Sequence, residues 1–372
     1  MDMIKTVNSL GLLSGSSQYG VDAALVTTDG VDLYEFGSAQ TTPYDDSLRD
    51  NIRALFAASP ETPGYEELYQ QVDDEYTRFQ AEIARDYISV HDTKVDVIGF
   101  EGLTLFNNAD AHQTRQLGNG KLLAELTGVR VVNNFHTADI RAGGQGEPLE
   151  SVYHNALCAD VGKPLAVVNI SGISRVTWIG SFGEMIAFDT GPGNAAINEW
   201  VLKHAGMHMD YNGKLAITGK VNEQLVATMM RHKYFGKYPP KSVDRRAFVE
   251  KLEHLEGLNL EDGAATATAF VAESIAYSLL MYLPEVPKIV IVCGGGAKNP
   301  TLMRFLRQRL PDMTVKTAAE EGFNTNALEA QAVAYMAVRR LYNLPISFPS
   351  TTGVPEPMSG GEICDPENFC RD

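Results

Sequence analysis

The stretch LAVVNISGISRVTWIGSFGEMIAFDTGPGN, residues 165–194, decides the fold. Its apolar runs at 165–170 and 174–179 flank a Ser171-Gly172 turn, and a third run at 185–188 ends on Asp189. Short apolar runs between Gly/Ser turns predict a three-stranded antiparallel meander. After Asp189 come Thr190-Gly191-Pro192-Gly193-Asn194 and a helical stretch at 195–205. A carboxylate at a strand end, beside bare backbone amides and a helix N-terminus, can serve as a base next to a bound phosphate. Asp is also a favoured helix cap. Here five residues separate Asp189 from the helical run, which favours the chemical role.

Working outward, the first half has the same plan. Strand-like 7–13 leads to the turn Ser14-Gly15-Ser16-Ser17, then strand-like 21–28, an Asp29-Gly30 hairpin turn and strand-like 31–36. Each meander precedes helix-rich sequence. Helices are predicted at 47–58 and 65–90, with a buried strand at 95–100. In the second half they fall at 222–231, 262–282, 300–310 (opening on Pro300) and 329–341, with a strand at 289–293. The order of elements repeats although the residues do not. This predicts two α/β domains facing each other across a cleft, against the alternative of one large mixed domain. The expected bounds are 1–140 plus 343–372, and 141–342, with glycine-rich 143–148 as the crossing point and an extended strap from 345.

The chain of 372 residues is long enough for two cores, and 44% hydrophobic with 21% charged is an ordinary globular composition. A net charge of -16 argues against a nucleic-acid partner. It leaves ATP open, because glycine loops hold phosphate through backbone N–H groups. No apolar stretch approaches the roughly 20 residues of a membrane span, and residues 1–6 lack a basic start with an apolar run, so neither a span nor a secretory signal is expected. Cys158, Cys293, Cys364 and Cys370 lack metal-ligand spacing. Cys364 and Cys370 could pair under oxidising conditions, but free thiols in the cytoplasm are the favoured reading.

Three further segments carry possible chemistry. Small residues at 14–20 let a backbone approach phosphates, though a lone Ser/Gly turn is more often a plain hairpin. Gly294-Gly295-Gly296 follows a buried strand, and a structural turn rarely needs three glycines; bare backbone there can lie against a base or ribose. It is neither a Rossmann fingerprint nor a Walker loop. Glu329 opens the last helix and can hold Mg2+ through water or simply complement the helix N-terminus. The loop 143–149, after Asp139, reads as a substrate-side loop or a hinge. Residues 241–245, after Pro239-Pro240, can close over a substrate or be a solvated loop.

Together these segments resemble the anhydro-N-acetylmuramic acid kinase family, which includes levoglucosan kinase-like enzymes. The resemblance runs nearly end to end. It covers Ser14-Gly15-Ser16-Ser17 with Gly20-Val21-Asp22, Gln116-Leu117-Gly118, Ala142-Gly143-Gly144-Gln145-Gly146 and Asn169-Ile170-Ser171-Gly172-Ile173. It continues through Phe188-Asp189-Thr190-Gly191-Pro192-Gly193-Asn194, Pro240-Lys241-Ser242, Cys293-Gly294-Gly295-Gly296, Glu329-Ala330-Gln331-Ala332 and Thr352-Gly353. It implies a duplicated actin-like (sugar kinase/Hsp70/actin, RNase H-like) α/β fold with ATP in a central cleft. It also implies hydrolytic opening of a 1,6-anhydro bridge with phosphorylation at O6, in the recycling of cell-wall sugars. By matching position Asp189 is the base that activates water. The nucleotide falls to Ser14, Gly15, Ser16, Ser17, Gly20, Gly172, Gly191, Gly193, Asn194, Gly294, Gly295, Gly296 and Asn299. Glu101, Gln116, His136, Asp139, Gln145, Glu147 and Lys241 fall at the sugar, and Asp22 and Glu329 at Mg2+. A cytoplasmic homodimer is implied.

Departures from the family pattern set a second expectation. Tyr19 stands where the family has an Asp, a candidate metal ligand; Glu101 replaces a His, His136 an Arg, Glu147 an Ala and Arg175 an Asn. The changes at 101, 136 and 147 all make the sugar side more negative, and like charges at close range repel by several kcal/mol. A muramyl substrate carries a lactyl carboxylate, so a neutral or basic anhydrosugar is expected instead, with Arg175 offsetting part of this if it points inward. Tyr19, Glu101 and His136 also leave open a non-catalytic paralogue that binds a sugar, a nucleotide or a partner. An Hsp70-like interaction ATPase is disfavoured, because no peptide-binding domain follows.

Overall fold

The computed structural model describes residues 5–15, 20–108, 113–248 and 250–367; Ser16, Ser17, Tyr19 and Cys370 lie outside them. It divides into two compact units. The first comprises Met1–Leu157, Asn326–Pro349 and Gly353–Asp372, the second Cys158–Thr325 and Ser350–Thr352.

In the first unit, β1 (Val7–Ser14), β2 (Gly20–Thr28) and β3 (Leu33–Pro43) form the expected antiparallel meander. Helix α1 (Asp46–Ala57) starts where the Asp45 carboxylate accepts a hydrogen bond from the Leu48 N–H, and α2 (Tyr65–His91) follows. Strand β4 (Val97–Glu101) joins β1 in parallel, with Gly99 opposite Gly11. A separate hairpin follows, β5 (Leu103–Asn108) with β6 (Gln113–Leu117). Next come α3 (Gly120–Thr127), capped by Asn119, β7 (Val131–Asn133), α4 (Phe135–Arg141) and α5 (Ser151–Leu157).

In the second unit, β8 (Leu165–Ile170), β9 (Ile173–Ile179) and β10 (Met185–Pro192) form another meander. Strand β8 is buried throughout, as a strand inside a mixed sheet must be. Helices α6 (Asn194–Ala205), α7 (Glu223–Met229) and α8 (Leu260–Met281) lead to β11 (Ile289–Cys293), α9 (Pro300–Arg309) and β12 (Thr314–Thr317). The chain then returns to the first unit with α10 (Leu328–Leu341) and β13 (Glu362–Cys364).

The sheets run β3-β2-β1-β4-β7-β13 and β10-β9-β8-β11-β12. In both, the first three strands of the unit are antiparallel and the next two add in parallel. One five-strand plan therefore appears twice: the duplicated actin-like topology.

Three features differ from the sequence reading. Strand β10 does not stop at Phe188; it continues to Pro192 through a bulge between Asp189 and Gly191. The expected bounds put α5 and the whole of α10 in the second domain, whereas both pack in the first unit. There α10 lies directly on β1 and β4: a Cβ on Gly11 would come within 1.8 Å of the Ala330 carbonyl oxygen, and one on Gly99 within 2.4 Å of that of Val333. Finally, among the described residues α8 is long and apolar enough to cross a membrane, a stretch the sequence reading did not count. Its Ala, Thr and Ser positions are buried in the second unit's core beside Trp200 and Phe270, where α6, α9 and β10 cover it.

Candidate active site

In the second unit the strand tips bring glycine turns together. The Gly193 and Ala195 N–H groups donate to the Gly172 carbonyl at 3.1 and 3.2 Å, and the Asn194 N–H donates to that of Ser171 at 2.7 Å. The Asn194 side-chain amide donates to the Ile170 carbonyl at 3.2 Å. The triple glycine closes on the same place. A Cβ on Gly294 (φ +73°) would lie 2.3 Å from Asn169 Oδ1, and one on Gly296 2.4 Å from Ile170 Cγ2. Gly295 is different: a Cβ there meets only Asn194 Nδ2, at 3.2 Å. Gly172, Gly193, Asn194 and Gly294–Gly296 thus lie around the N-terminus of α6, where backbone dipoles favour an anion, whereas Gly191, inside β10, packs against Phe235 and Ser274. Asn299 has a different task. Its Oδ1 accepts from the N–H groups of Thr301 and Leu302, both at 3.1 Å, and caps α9.

Asp189 sits at the β10 bulge, one turn of chain from this group. Its N–H donates to the Lys241 carbonyl at 3.0 Å, and its carbonyl accepts from the Tyr234 hydroxyl at 2.5 Å. Oδ2 accepts from the Val243 N–H at 2.9 Å, and Oδ1 faces Arg175 Nε at 3.5 Å. Arg175 is its direct cross-strand neighbour on β9. Asp189 is only 1% exposed. At that burial a water reaches the carboxylate only if a covering group moves.

In the first unit a polar cluster forms at the tip of β4. Gln116 Nε2 donates to Glu101 Oε1 at 2.8 Å and to Thr104 Oγ1 at 3.0 Å, and lies 3.3 Å from His136 Nδ1. His136 Nε2 is 3.3 Å from Glu101 Oε1, and its Nδ1 is 3.9 Å from Glu147 Oε1. Burial pushes the Glu101 carboxyl up, His136 and Gln116 pull it down, and Glu147 and Glu150 add to the rise. Asp139 organises the adjoining loop: it is fully buried, its Oδ1 accepts from the Gly146 N–H at 2.7 Å, and its carbonyl accepts from that of Gly144 at 2.9 Å. The Gln145 carbonyl is held by the Asn107 amide at 3.2 Å. A cavity of about 390 Å³ adjoins, lined by polar residues including Asn119, Asn133 and Asn134 and sharing Gly102 and Gln116 with the cluster.

Two further groups, one expected at the sugar and one expected to offset the acidic residues, belong to the second unit. Lys241 is in the second unit beside Asp189, buried at 3% exposure. Arg175, expected to offset the acidic cluster, pairs with Asp189 instead. Of the first turn, the Ser14 hydroxyl faces inward, meeting the hydroxyls of Tyr44 and Tyr76 and the amide of Gln80 at 2.6, 2.8 and 2.9 Å. Gly15 and Gly20 bracket the undescribed residues of that turn. Asp22, on β2, accepts from the Thr41 hydroxyl at 2.5 Å, and Glu329 is half-buried in the first turn of α10. Among the described residues no three His, Cys, Asp or Glu side chains group as metal ligands. That donor set fits Mg2+ carried by a nucleotide, which needs only one or two carboxylates, and does not fit a protein-built cage.

The sequence model of one family, anhydro-N-acetylmuramic acid kinase, matches residues 7–366. The chain belongs to that family. An anhydro-N-acetylmuramic acid kinase of Paramagnetospirillum magneticum is 42% identical over 357 residues, covering 95% of this chain and 98% of the relative. One of Rhodospirillum rubrum is 43% identical over 354 residues, covering 95% and 93%, and one of Zymomonas mobilis 42% identical over 364, covering 95% and 99%. The chain is accordingly a phosphotransferase of the anhydrosugar kinase type, and nothing in these matches favours the non-catalytic reading. Sequence reasoning missed Arg175, Tyr234 and Val243 as partners of Asp189. The signal for Arg175 was present: counting five residues outward from each end of the 180–184 turn pairs it with Asp189.

Proposed function

We propose that the chain is an ATP-dependent kinase of a 1,6-anhydrosugar that opens the bridge with water and phosphorylates the freed O6. Asp189 is the general base. The small turns at Gly172 and Gly193 let phosphates approach the N-terminus of α6, whose dipole attracts them even though its Gly193, Asn194 and Ala195 N–H groups are engaged with the Ser171 and Gly172 carbonyls, and Gly295 offers bare backbone to the adenosine. Mg2+, held by Asp22 and Glu329, supplies charge neutralisation. Val243 N–H and Arg175 orient the Asp189 carboxylate for its role as base. The reading includes a cytoplasmic location and a homodimer, as the family resemblance implies.

The observation that carries this is the convergence of three glycine turns on the N-terminus of α6, next to Asp189. The test is phosphoryl transfer from ATP by Asp189→Asn, with 1,6-anhydro-N-acetylmuramic acid as acceptor. Removal of a general base lowers kcat by about 10²–10⁴-fold, and a variant with wild-type turnover would overturn the assignment.

The Glu101–His136–Glu147 cluster supports the finer reading that a neutral or basic anhydrosugar is preferred over the muramyl acid. Comparing kcat/KM for levoglucosan and for 1,6-anhydro-N-acetylmuramic acid decides it; a higher value for the acid removes the preference.

A further inference from the structure

Lys241 is the most unusual group near Asp189. Its Nζ sits in an aromatic box, 4.0 Å from the Tyr282 ring centroid, 4.7 Å from that of Tyr234 and 5.6 Å from that of Phe188. Nζ donates to the Lys237 carbonyl at 2.9 Å, and at 3% exposure the residue has no face left for a ligand. Burying an ammonium is unfavourable, and three ring faces return only part of the loss.

The surrounding contacts show what the lysine can control. The Lys241 carbonyl holds the Asp189 N–H, and two residues on, the Val243 N–H holds the Asp189 carboxylate. Tyr234, one wall of the box, donates its hydroxyl to the Asp189 carbonyl. Phe188, another wall, precedes Asp189 in the chain. The Lys241 carbonyl, the Val243 N–H and the Tyr234 hydroxyl thus all reach Asp189 from the box or from the segment that the boxed lysine anchors.

We infer that Lys241 is a positioning residue for Asp189: its ammonium clamps residues 241–243 against the end of β10, so the carboxylate keeps one orientation. The inference rests on Asp189 being the base. The charged and titratable groups around the lysine are Asp189 on β10, Tyr234 and Lys237 in and after the short helical turn at 233–236, and Tyr282 at the end of α8. Arg175 on β9 faces the aspartate. Burial lowers the Lys241 amine to about 8, with Asp189 pulling it up and Lys237 adding to the fall. Tyr234 and Tyr282 are pushed up, chiefly by burial, and so move away from that range.

The test measures kcat and both KM values from about pH 6 to 10, for the full chain with ATP, Mg2+ and 1,6-anhydro-N-acetylmuramic acid. Wild type is expected to lose kcat on an alkaline limb centred near pH 8. Lys241→Met lowers kcat about tenfold at neutral pH, with both KM values within about twofold and no such limb. Lys241→Arg stays charged and also lacks the limb. A flat wild-type profile across that range, a wild-type profile in Lys241→Met, or a limb retained in Lys241→Arg would each overturn the inference. If Lys241→Met does not fold, the other two profiles decide. Asp189→Asn separates the two claims: full turnover there removes the base itself, whereas an inactive Asp189→Asn beside a wild-type-like Lys241→Met removes only the clamp.

Discussion

The two units lay out the same strands in the same order and put opposite chemistry at the strand tips. In the second, the first and fourth strands of the plan, β8 and β11, end in Ser171-Gly172 and Gly294–Gly296, which offer bare backbone. In the first, their counterparts β1 and β4 end in Ser14, whose hydroxyl is buried in a tyrosine network, and in Glu101, which belongs to a side-chain cluster. Sites in α/β sheets form at the carboxyl ends of parallel strands. The scaffold sets where each site lies, and the residues at the tip set what it reads: amides suit phosphate, carboxylates and amides suit hydroxyls.

Breaking this comparison should have its largest effect on stability. Gly294→Ala places a Cβ 2.3 Å from Asn169 Oδ1, at φ +73° and ψ -176° where only glycine is comfortable. Strain and overpacking together should cost roughly 2–6 kcal/mol in urea unfolding. Gly128→Ala in the first unit, at φ +70° with nothing within 4 Å, should cost about 1 kcal/mol. Equal losses would show that the second unit's turn is not built around bare backbone.

The pH dependence of stability sharpens the contrast next. The folded Lys241 amine, at about 8, lies below its ordinary 10.5. The unfolded chain therefore binds that proton more tightly, and the destabilisation is fully present below pH 8 and fades as pH rises through 10.5. Lys241→Met should be more stable than wild type at pH 7 by roughly 1–3 kcal/mol, with the gap closing between pH 8 and 10.5. A gap independent of pH would mean that the amine is not what is strained.

Two smaller effects should divide by unit. Gly295→Ala meets only a flexible amide, so it should fold normally and raise the KM for ATP about tenfold, without changing the KM for the sugar. Glu147→Gln should lower the KM for the anionic anhydrosugar about threefold and leave that for ATP alone. Crossed effects, with Gly295 acting on the sugar or Glu147 on ATP, would dissolve the division of labour.

The two meanders were legible because their apolar runs are long and bounded by Gly and Ser. The hairpin β5–β6 and the short strands β7, β12 and β13 were not: three to six residues of mixed polarity carry little periodicity, and partners distant in sequence stabilise them. The glycine turns could be read, since nothing else explains three in a row. The burial of Asp189 could not, because its cover comes from residues 234–243, more than forty positions away. Asn299 and Ser14 show the converse: both fit a ligand by type, yet one caps a helix and the other satisfies two tyrosines.

Helix α10 lies on β1 and β4 through Gly11 and Gly99, although it comes more than two hundred residues after either. During synthesis, residues 158–325, nearly all of the second unit, leave the ribosome before this helix does. The second unit is therefore the first able to complete its core. The amino-terminal sheet must meanwhile wait with the floor for its last helix uncovered, and a nascent chain stalled before about residue 340 would expose β1 and β4 to whatever binds apolar surface.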